Sequence, residues 1–396
     1  MAVLDRPADA GRSHAIASPP GTGDEAASRP MTHGLRTERR LMKGNEAIAE
    51  AAIAAGCDAY FGYPITPQAE LLELMARRMP EEGRVFVQAE SELAAINMAL
   101  GAGAAGARVL VSSSSPGISL MAEAMSYMAG SRIPCVLINV MRGGPGLGSI
   151  GAAQGDYFQA TKGHGHGDYH VPVLAPSSIG EAIELVSDAF VLAERYRTPV
   201  MILADGILGQ AMEPVEPEFP RLPRPAADWT IEGADGREPR VLRSLHLQPE
   251  DLEAHNDALQ ATYRTIVARE PRWAGELLED AEVVVVAYGT AARVARTAVE
   301  RAREGGVRAG LFRPVTLWPF PAGGLRAATD GARAVLTVEM SAGQLVEDVR
   351  LALEGALPVH LHGRTGGMVP SPDAVLEAIC AARAGVKPPA GAVVIR

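Results

Sequence analysis

Cysteine is almost absent from this chain. Its 396 residues include three, Cys57, Cys135 and Cys380, far apart in apolar surroundings and with no Cys-x-x-Cys. Three thiols cannot supply the four thiolates of an ordinary iron–sulfur cluster. They read instead as buried free thiols in a reducing compartment. Basic charge is also short: the net charge is −10, which argues against a nucleic-acid or membrane-surface binder. No apolar run approaches the roughly 20 residues of a membrane span. No charged-then-apolar start resembles a secretory signal, so the expected location is cytoplasmic. Asparagine is limited to Asn45, Asn97, Asn139 and Asn256, a shortage that becomes informative below.

What is present is Ala, Gly and aliphatic residues, with 47% of the chain hydrophobic. That suits a tightly packed α/β protein of two or three domains. Residues 1–41 are rich in Pro, Gly, Ser, Asp and Arg, have no apolar period, and read as a disordered tail, with order beginning at a helix over 45–55. Apolar runs at 59–62, 85–88, 108–112, 135–141, 172–174 and 199–204 predict strands. Helical patterns fall between most of them, at 68–79, 92–105, 119–129 and 179–196. Such alternation predicts a parallel sheet covered on both faces over 42–213. From 214 to 280 prolines cluster and one helix is clear, over 257–270, as in a linker or surface excursion. A second α/β unit follows over 281–396, opened by Val283-Val284-Val285-Val286, with later strands at 308–312, 334–339 and 359–362.

The turns after the predicted strands carry the chemistry. In Gly62-Tyr63-Pro64-Ile65-Thr66-Pro67 a strand breaks into a turn, and Pro67 suits the first position of the next helix. In Glu90-Ser91-Glu92 carboxylates stand where a strand turns into an apolar helix. A first-turn Glu is favoured by the helix dipole alone. That reading fits Glu90 better, because Glu92 borders the apolar stretch where an acid is partly desolvated. In an open α/β sheet both turns fall at the carboxyl edge, where ligands bind. A Thr hydroxyl and a Glu on one rim suit a small polar substrate and a heterocyclic cofactor.

Arg142 ends the run at 135–141. Its fork matches a carboxylate, and spacing alone serves equally well for an internal salt bridge to Asp156 or a glutamate. Ser112-Ser113-Ser114-Ser115-Pro116-Gly117 joins a strand to a helix expected from Ser119, with plain N-capping the simplest reading. Gly146-Leu147-Gly148-Ser149-Ile150-Gly151 matches G-x-G-x-x-G in form only, since loop texture rather than a helix follows it. His164, His166 and His170 alternate with glycines and lack a metal-ligand pattern, so they read as a polar active-site loop. Met121, Met125 and Met128 read as a core or subunit contact. In the second unit, the runs 312–321, 338–344 and 363–367 read as turns at one sheet edge, a rim facing a partner or ligand.

Taken in order, these segments resemble the α subunit of the 2-oxoacid:ferredoxin oxidoreductases. The resemblance rests on Leu41-Met42-Lys43-Gly44-Asn45-Glu46, Tyr63-Pro64-Ile65-Thr66-Pro67, Gln88-Ala89-Glu90-Ser91-Glu92, Ser114-Ser115-Pro116-Gly117, Asn139-Val140-Met141-Arg142-Gly143-Gly144-Pro145, Gln154-Gly155-Asp156-Tyr157 and Arg313-Pro314. The run Gly155-Asp156-Tyr157-Phe158-Gln159-Ala160-Thr161-Lys162 looks closest to the ketoisovalerate branch, with 2-oxoglutarate and pyruvate enzymes as alternatives.

The resemblance implies a pyrimidine-binding thiamine diphosphate domain followed by a transketolase C-terminal-like domain. The implied reaction is oxidative decarboxylation of a 2-oxoacid, with coenzyme A as co-substrate and ferredoxin as electron acceptor. By position, Glu92 matches the catalytic glutamate that bonds N1′ of the aminopyrimidine. Thr66 and Arg142 match groups that hold the substrate. Tyr63, Pro64, Ile65, Ser115 and Gly117 match the cofactor-binding turns. One departure is informative. The metal-binding half of a thiamine site usually carries Gly-Asp-Gly and an Asn about thirty residues on. Here Ala204-Asp205-Gly206 is the nearest fragment, with no asparagine at that distance. The expectation is a shared cofactor, with Mg2+ and diphosphate held by a β subunit. Iron–sulfur clusters would lie on partners, including a γ subunit and a ferredoxin-like δ subunit. A rival reading is a non-catalytic assembly subunit.

Overall fold

A computed structural model describes residues 39–387. The expected tail falls almost wholly outside the described residues. Order begins before the first helix, with β1 (Arg40–Lys43), followed by α1 (Gly44–Ala54), β2 (Ala59–Gly62), α2 (Ala69–Glu81), β3 (Val85–Gln88), α3 (Glu92–Ala104), β4 (Val109–Ser113) and α4 (Ser115–Ser131). Next come β5 (Cys135–Met141), α5 (Tyr157–Lys162), β6 (Val173–Leu174), α6 (Ile179–Tyr196), β7 (Pro199–Asp205), α7 (Gly206–Gln210) and β8 (Met212–Val215). The later chain forms α8 (Pro249–Arg269), β9 (Trp273–Glu276), β10 (Val283–Val286), α9 (Gly289–Glu304), β11 (Ala309–Pro314) and β12 (Thr316–Trp318). It ends with α10 (Ala322–Ala328), β13 (Ala334–Glu339), α11 (Leu345–Leu353), β14 (Val359–Gly363) and α12 (Pro372–Arg383).

The first large sheet has the order β12-β6-β7-β5-β4-β2-β3. Its strands are parallel except β12, which runs antiparallel to β6. Side chains alternate between two buried faces. Tyr60 and Leu110 pack with α1, α2 and α6, whereas Phe61, Val109 and Val111 pack with α3 and α4. Met121, Met125 and Met128 of α4 are fully buried in that second core. The second sheet has the order β14-β13-β10-β11-β9, with β9 antiparallel to β11 and the rest parallel.

Several expectations are corrected. The helix after β2 starts at Ala69, not Pro67; the Pro67 carbonyl instead accepts a hydrogen bond from Asn45 Nδ2 at 2.8 Å. The helix after β4 starts at Ser115, four residues before Ser119. α8 begins at Pro249, about two turns ahead of the expected 257. β1, β8 and β9 were not expected, because their charged, proline and glycine residues interrupt any apolar run. The run 312–321 is not a turn on the second unit's rim: β11 extends to Pro314, and β12 crosses to pair with β6 of the first sheet. Cys57 and Cys135 are buried, as expected, but Cys380 is exposed on α12. Burial in apolar surroundings pushes the Cys57 thiol up to about 12.

The two units are locked by buried hydrogen bonds. Asp205 ends β7 and caps α7, its Oδ1 accepting from the N–H groups of Ile207 (3.1 Å) and Leu208 (3.2 Å). The same carboxylate accepts the Thr290 hydroxyl at 2.7 Å and the Thr290 N–H at 3.1 Å, capping the first turn of α9 in the second unit. Burial pushes the Asp205 carboxyl above its ordinary range, and the four donors pull against that shift. Beside it Gln154 behaves as an extra stretch of backbone. Its Nε2 donates to the Tyr288 carbonyl (2.9 Å), its Oε1 accepts from Met340 N–H (3.0 Å), and its own N–H donates to the Met340 carbonyl (2.8 Å). Gly289, at φ 54°, lies against both; a Cβ there would sit 3.1 Å from Gln154 Nε2 and 3.2 Å from Asp205 Oδ2.

Asp205→Ala strands these donors without acceptors. The expected loss is on the order of 3 kcal/mol, since each buried group left unsatisfied costs about 1–3 kcal/mol. Asp205→Asn keeps an acceptor oxygen and should lose less. The urea midpoint measures both; a midpoint unmoved by the Ala variant would remove Asp205 as the tie between the units.

Candidate functional site

Strand order reverses across β2, which lies between β3 on one side and β4 on the other. The crevice above that reversal is where a doubly wound sheet has room for a ligand. Three turns and one strand end converge there.

The loop after β2 is tied from below. Asn45 Nδ2 donates to the Pro67 carbonyl and, at 2.8 Å, to Glu70 Oε2. Gln68 Oε1 accepts the Ser112 hydroxyl at 2.7 Å, and Ser112 lies 2.6 Å from the buried Tyr60 hydroxyl. The backbone is therefore fixed while Tyr63, Pro64 and Thr66 stay exposed and Ile65 is half-buried.

Ser91 caps α3, its Oγ accepting from Ala94 N–H at 3.2 Å. Glu90 is left exposed, while Glu92, the first helical residue, is 5% exposed. Glu92 Oε1 accepts the Ser113 hydroxyl at 3.2 Å. Gly117, in the first turn of α4, makes room for it: a Cβ at Gly117 would collide with Ser113 Oγ and the Glu92 carboxylate. The Ser114 hydroxyl, at the N-cap of α4, is fully buried and has no hydrogen-bond partner. The simple capping reading of this serine run is thus not what the structure shows.

On the other side of the α4 first turn, Ser115 Oγ accepts the Arg142 N–H at 3.0 Å and donates to Asp156 Oδ2 at 2.6 Å. The Ser115 N–H donates to Asn139 Oδ1 at 3.1 Å, and Asn139 Nδ2 donates to Asp156 Oδ2 at 3.0 Å. Arg142 is 8% exposed. Its Nη1 donates to the Thr66 carbonyl at 3.0 Å, its Nη2 to the Leu147 carbonyl at 3.3 Å, and its Nε has no partner. Among the described residues no carboxylate pairs with it. The salt bridge to Asp156 is absent, because Asp156 is taken by Ser115 and Asn139. A buried guanidinium held only by neutral carbonyls is an unbalanced charge, and a carboxylate ligand is the group that balances it. Burial pushes the Asp156 carboxyl above its ordinary range.

The structure thus joins Thr66, Arg142 and Ser115 through Arg142, and Glu92 to Gly117. The α4 first turn links the two groups. Residues 143–151 form a closed loop, with Gly143 N–H donating to the Gly151 carbonyl (2.9 Å) and Ser149 N–H to the Gly143 carbonyl (2.8 Å). No helix follows until Tyr157, as expected for a fortuitous glycine match. Leu147 and Ile150 project from it, 85% and 69% exposed. Ser149 Oγ donates to the Gly366 carbonyl at 3.4 Å, so the turn at 363–367 abuts this loop. The turn at 338–344 has a structural task. The buried Glu339 carboxylate accepts the N–H groups of Gln344, Leu345 and Val346 and the Ser341 hydroxyl, capping α11.

The three histidines do not converge. His164 is buried with Tyr169, His166 is exposed beside Tyr127, and His170 stacks on Trp318 at 4.5 Å. Their loop leads down to the amino end of β6, away from the crevice, which corrects the active-site-loop expectation. Among the described residues no three His, Cys, Asp or Glu side chains are grouped to hold a metal ion, and no helix is long and apolar enough to cross a membrane. Sequence reasoning gave no role to Asn139 or Ser113. A lone amide inside the apolar run 135–141 was the available signal for Asn139.

Residues 50–234 match the family model for the thiamine diphosphate-binding region of pyruvate flavodoxin/ferredoxin oxidoreductases, and residues 281–375 match that for pyruvate:ferredoxin oxidoreductase core domain II. The chain is 49% identical over 341 residues to the ketoisovalerate oxidoreductase subunit VorB of Methanothermobacter thermautotrophicus, covering 86% of this chain and 97% of that one. It is 37% identical over 371 residues to the 2-oxoglutarate synthase subunit KorA of the same organism, covering 87% and 98%. Among solved structures it resembles the 2-oxoglutarate:ferredoxin oxidoreductase of Magnetococcus marinus, bound to 2-oxoglutarate, coenzyme A and succinyl-CoA. The TM-score is 0.78 and identity 26%, over 88% of this chain and 66% of that chain, just under two thirds of its length.

His164 also sets a pH limit on the fold. Desolvation lowers it from 6.5 to about 4, so the folded state carries it neutral while the unfolded chain protonates it below about 6.5. The unfolded state binds the extra proton, so stability falls as pH drops through that window, by about 2 kcal/mol at pH 5. Urea midpoints at pH 7 and pH 5 should therefore separate more in the wild type than in His164→Gln. Equal separations would show that His164 is not the titrating group.

Proposed function

Because this chain belongs to the 2-oxoacid:ferredoxin oxidoreductase family, we propose that it is the α subunit of a multi-subunit enzyme that oxidatively decarboxylates a branched-chain 2-oxoacid. A 2-oxoacid, coenzyme A and two oxidised ferredoxins become acyl-CoA, carbon dioxide, two reduced ferredoxins and a proton. The observation that carries the reading is Arg142: a buried cation with no acid partner among the described residues, bonded to the Thr66 carbonyl at the sheet's switch point.

Arg142 uses two of its five N–H donors on carbonyls. The remaining donors, Nε–H included, are available to a substrate carboxylate. Thr66, whose carbonyl Arg142 holds, is itself exposed. The apolar Leu147 and Ile150, on the loop that Arg142 grips, suit an aliphatic side chain rather than the second carboxylate of 2-oxoglutarate. The higher identity to the ketoisovalerate subunit supports the same choice.

The residues fit the pyrimidine end of thiamine diphosphate. Glu92 is a buried carboxylate packed against Gly117, whose missing Cβ leaves it room, and the buried Ser114 hydroxyl at the start of the same helix lacks a partner. The bound cofactor supplies the carbanion stabilisation that lets a 2-oxoacid lose carbon dioxide. Glu92 holds the proton at N1′, while Tyr63, Pro64, Ile65 and Ser115 shape the surrounding turns. Asp205 is fully engaged as a helix cap. We therefore assign Mg2+ and the diphosphate to a β subunit, and electron transfer to γ and ferredoxin-like δ subunits carrying the iron–sulfur clusters.

The test is reconstitution. The purified chain alone should not oxidise 2-oxoacids. With a thiamine-type β chain and electron-transfer chains it should reduce a viologen dye, with a higher kcat/KM for 2-ketoisovalerate than for 2-oxoglutarate. Robust turnover by the isolated chain would overturn the assignment. In the assembled enzyme Glu92→Gln keeps an acceptor for Ser113 and removes the ionisable proton. A loss of about 10²–10⁴ in kcat is expected, together with slower exchange of the cofactor C2 proton read by NMR after acid quench. Wild-type exchange would clear Glu92 of the role. Arg142→Lys should raise the oxoacid KM by about 10–100-fold, the equivalent of one charge-assisted bond, with the coenzyme A KM unmoved. An unmoved oxoacid KM would return Arg142 to a structural part.

A further inference from the structure

Asp156 belongs to none of the motifs' assigned roles, yet it occupies the junction between the substrate rim and the second unit. The residues on either side of it are committed to that unit: Gln154 to Tyr288 and Met340, and Tyr157 through its hydroxyl to Asp348 Oδ2 at 2.6 Å. Gln344 Nε2 donates to the Gly155 carbonyl at 2.7 Å, so the whole segment is pinned from that side. The Asp156 side chain points the opposite way. Its Oδ2 accepts from Ser115 Oγ at 2.6 Å and Asn139 Nδ2 at 3.0 Å.

The Ser115 hydroxyl has one hydrogen. It lies 2.6 Å from Asp156 Oδ2 and 3.2 Å from the Arg142 carbonyl, so the charged and nearer acceptor takes it. With that hydrogen directed at Asp156, the Ser115 lone pairs face the Arg142 N–H, 3.0 Å away. Asn139 is oriented by the same carboxylate, since its Nδ2 reaches Asp156 and its Oδ1 thereby meets the Ser115 N–H. One carboxylate thus orients the side chains of a three-residue ring, Asp156, Ser115 and Asn139, from which the Arg142 main chain hangs through Ser115.

We propose that Asp156 is a positioning residue. It sets the Arg142 main chain relative to Thr66 and transmits the docking of the second unit to the substrate anchor. The functional half of this inference rests on the reading of Arg142 as the substrate anchor; the positional half does not.

The experiment separates the two halves. Asp156→Ala removes both acceptor contacts. Asp156→Asn keeps an oxygen that accepts from Ser115 and Asn139 and removes only the charge. Hydrogen–deuterium exchange on the full chain, with peptides spanning 139–153, reads the position directly. Exchange should rise at least several-fold in the Ala variant at Arg142 and Gly143, stay near wild type in the Asn variant, and be unchanged over β10 and β13. In the reconstituted complex the oxoacid KM should rise tenfold or more in Asp156→Ala while kcat falls less, with Asp156→Asn within about threefold of wild type. Unchanged exchange in the Ala variant would overturn the proposal. So would raised exchange with an unmoved oxoacid KM, or an Asn variant as impaired as Ala. If the wild-type complex oxidises no 2-oxoacid, the functional reading fails, and the exchange data still decide whether Asp156 positions Arg142.

Discussion

The geometry of this protein hangs on a buried carboxylate that caps two helices at once. Asp205 closes β7, starts α7, and accepts two hydrogen bonds from the first turn of α9 in the other unit. A charge buried this deeply is tolerable only because four donors surround it. Those donors come from both halves of the molecule, so neither half can shift without stranding it. Gln154 adds three further bonds a few ångströms away, with Gly289 shaped to let the backbones approach. The rim at the carboxyl edge is tied to this seam, because residues 154–157 run from the seam directly to the Asp156–Ser115–Arg142 chain of hydrogen bonds.

The rim itself divides its labour by charge. Around Glu92 the surroundings are small and neutral: Ser113, Gly117 and the unpartnered Ser114 hydroxyl. Around Arg142 they are carbonyls rather than acids. Opposite charges stand on either side of one helix turn without neutralising each other. An internal ion pair would have been the cheaper arrangement for stability alone. Its absence leaves each of the two groups free for a separate partner, as the proposed reading of Arg142 toward a substrate carboxylate and of Glu92 toward a cofactor nitrogen requires.

Much of this was readable in the chain. The strands at 59–62, 135–141 and 334–339 coincide with the observed elements because buried parallel strands are uninterrupted apolar runs; the edge strand at 85–88 and the helix at 179–196 coincide as well. Glu92, Thr66 and Arg142 could be placed on one rim because each follows such a strand directly. The salt-bridge alternative for Arg142 could not be rejected, since spacing does not reveal that Asn139 and Ser115 occupy Asp156 first. The histidines misled for a related reason. Glycine alternation signals a loop but not its direction, and this loop runs toward the amino end of β6. Strand β12 escaped because its pairing partner is 142 residues earlier at the Thr316–Leu174 register, and no local pattern encodes that distance.

That same strand has a consequence for how the chain is made. β6 is only two residues long, Val173–Leu174, and one side of it is completed by Thr316 and Trp318. When synthesis has passed β7, the first sheet possesses all its parallel strands yet ends in an unpaired edge. That edge stays open until more than a hundred further residues have been made. An open strand edge is a template for intermolecular pairing, and N-terminal units emerge first. The nascent chain therefore passes through a stage in which its first half is nearly folded and adhesive. A truncation after residue 213 would be arrested at that stage, and would be expected to associate with copies of itself rather than behave as an independent domain.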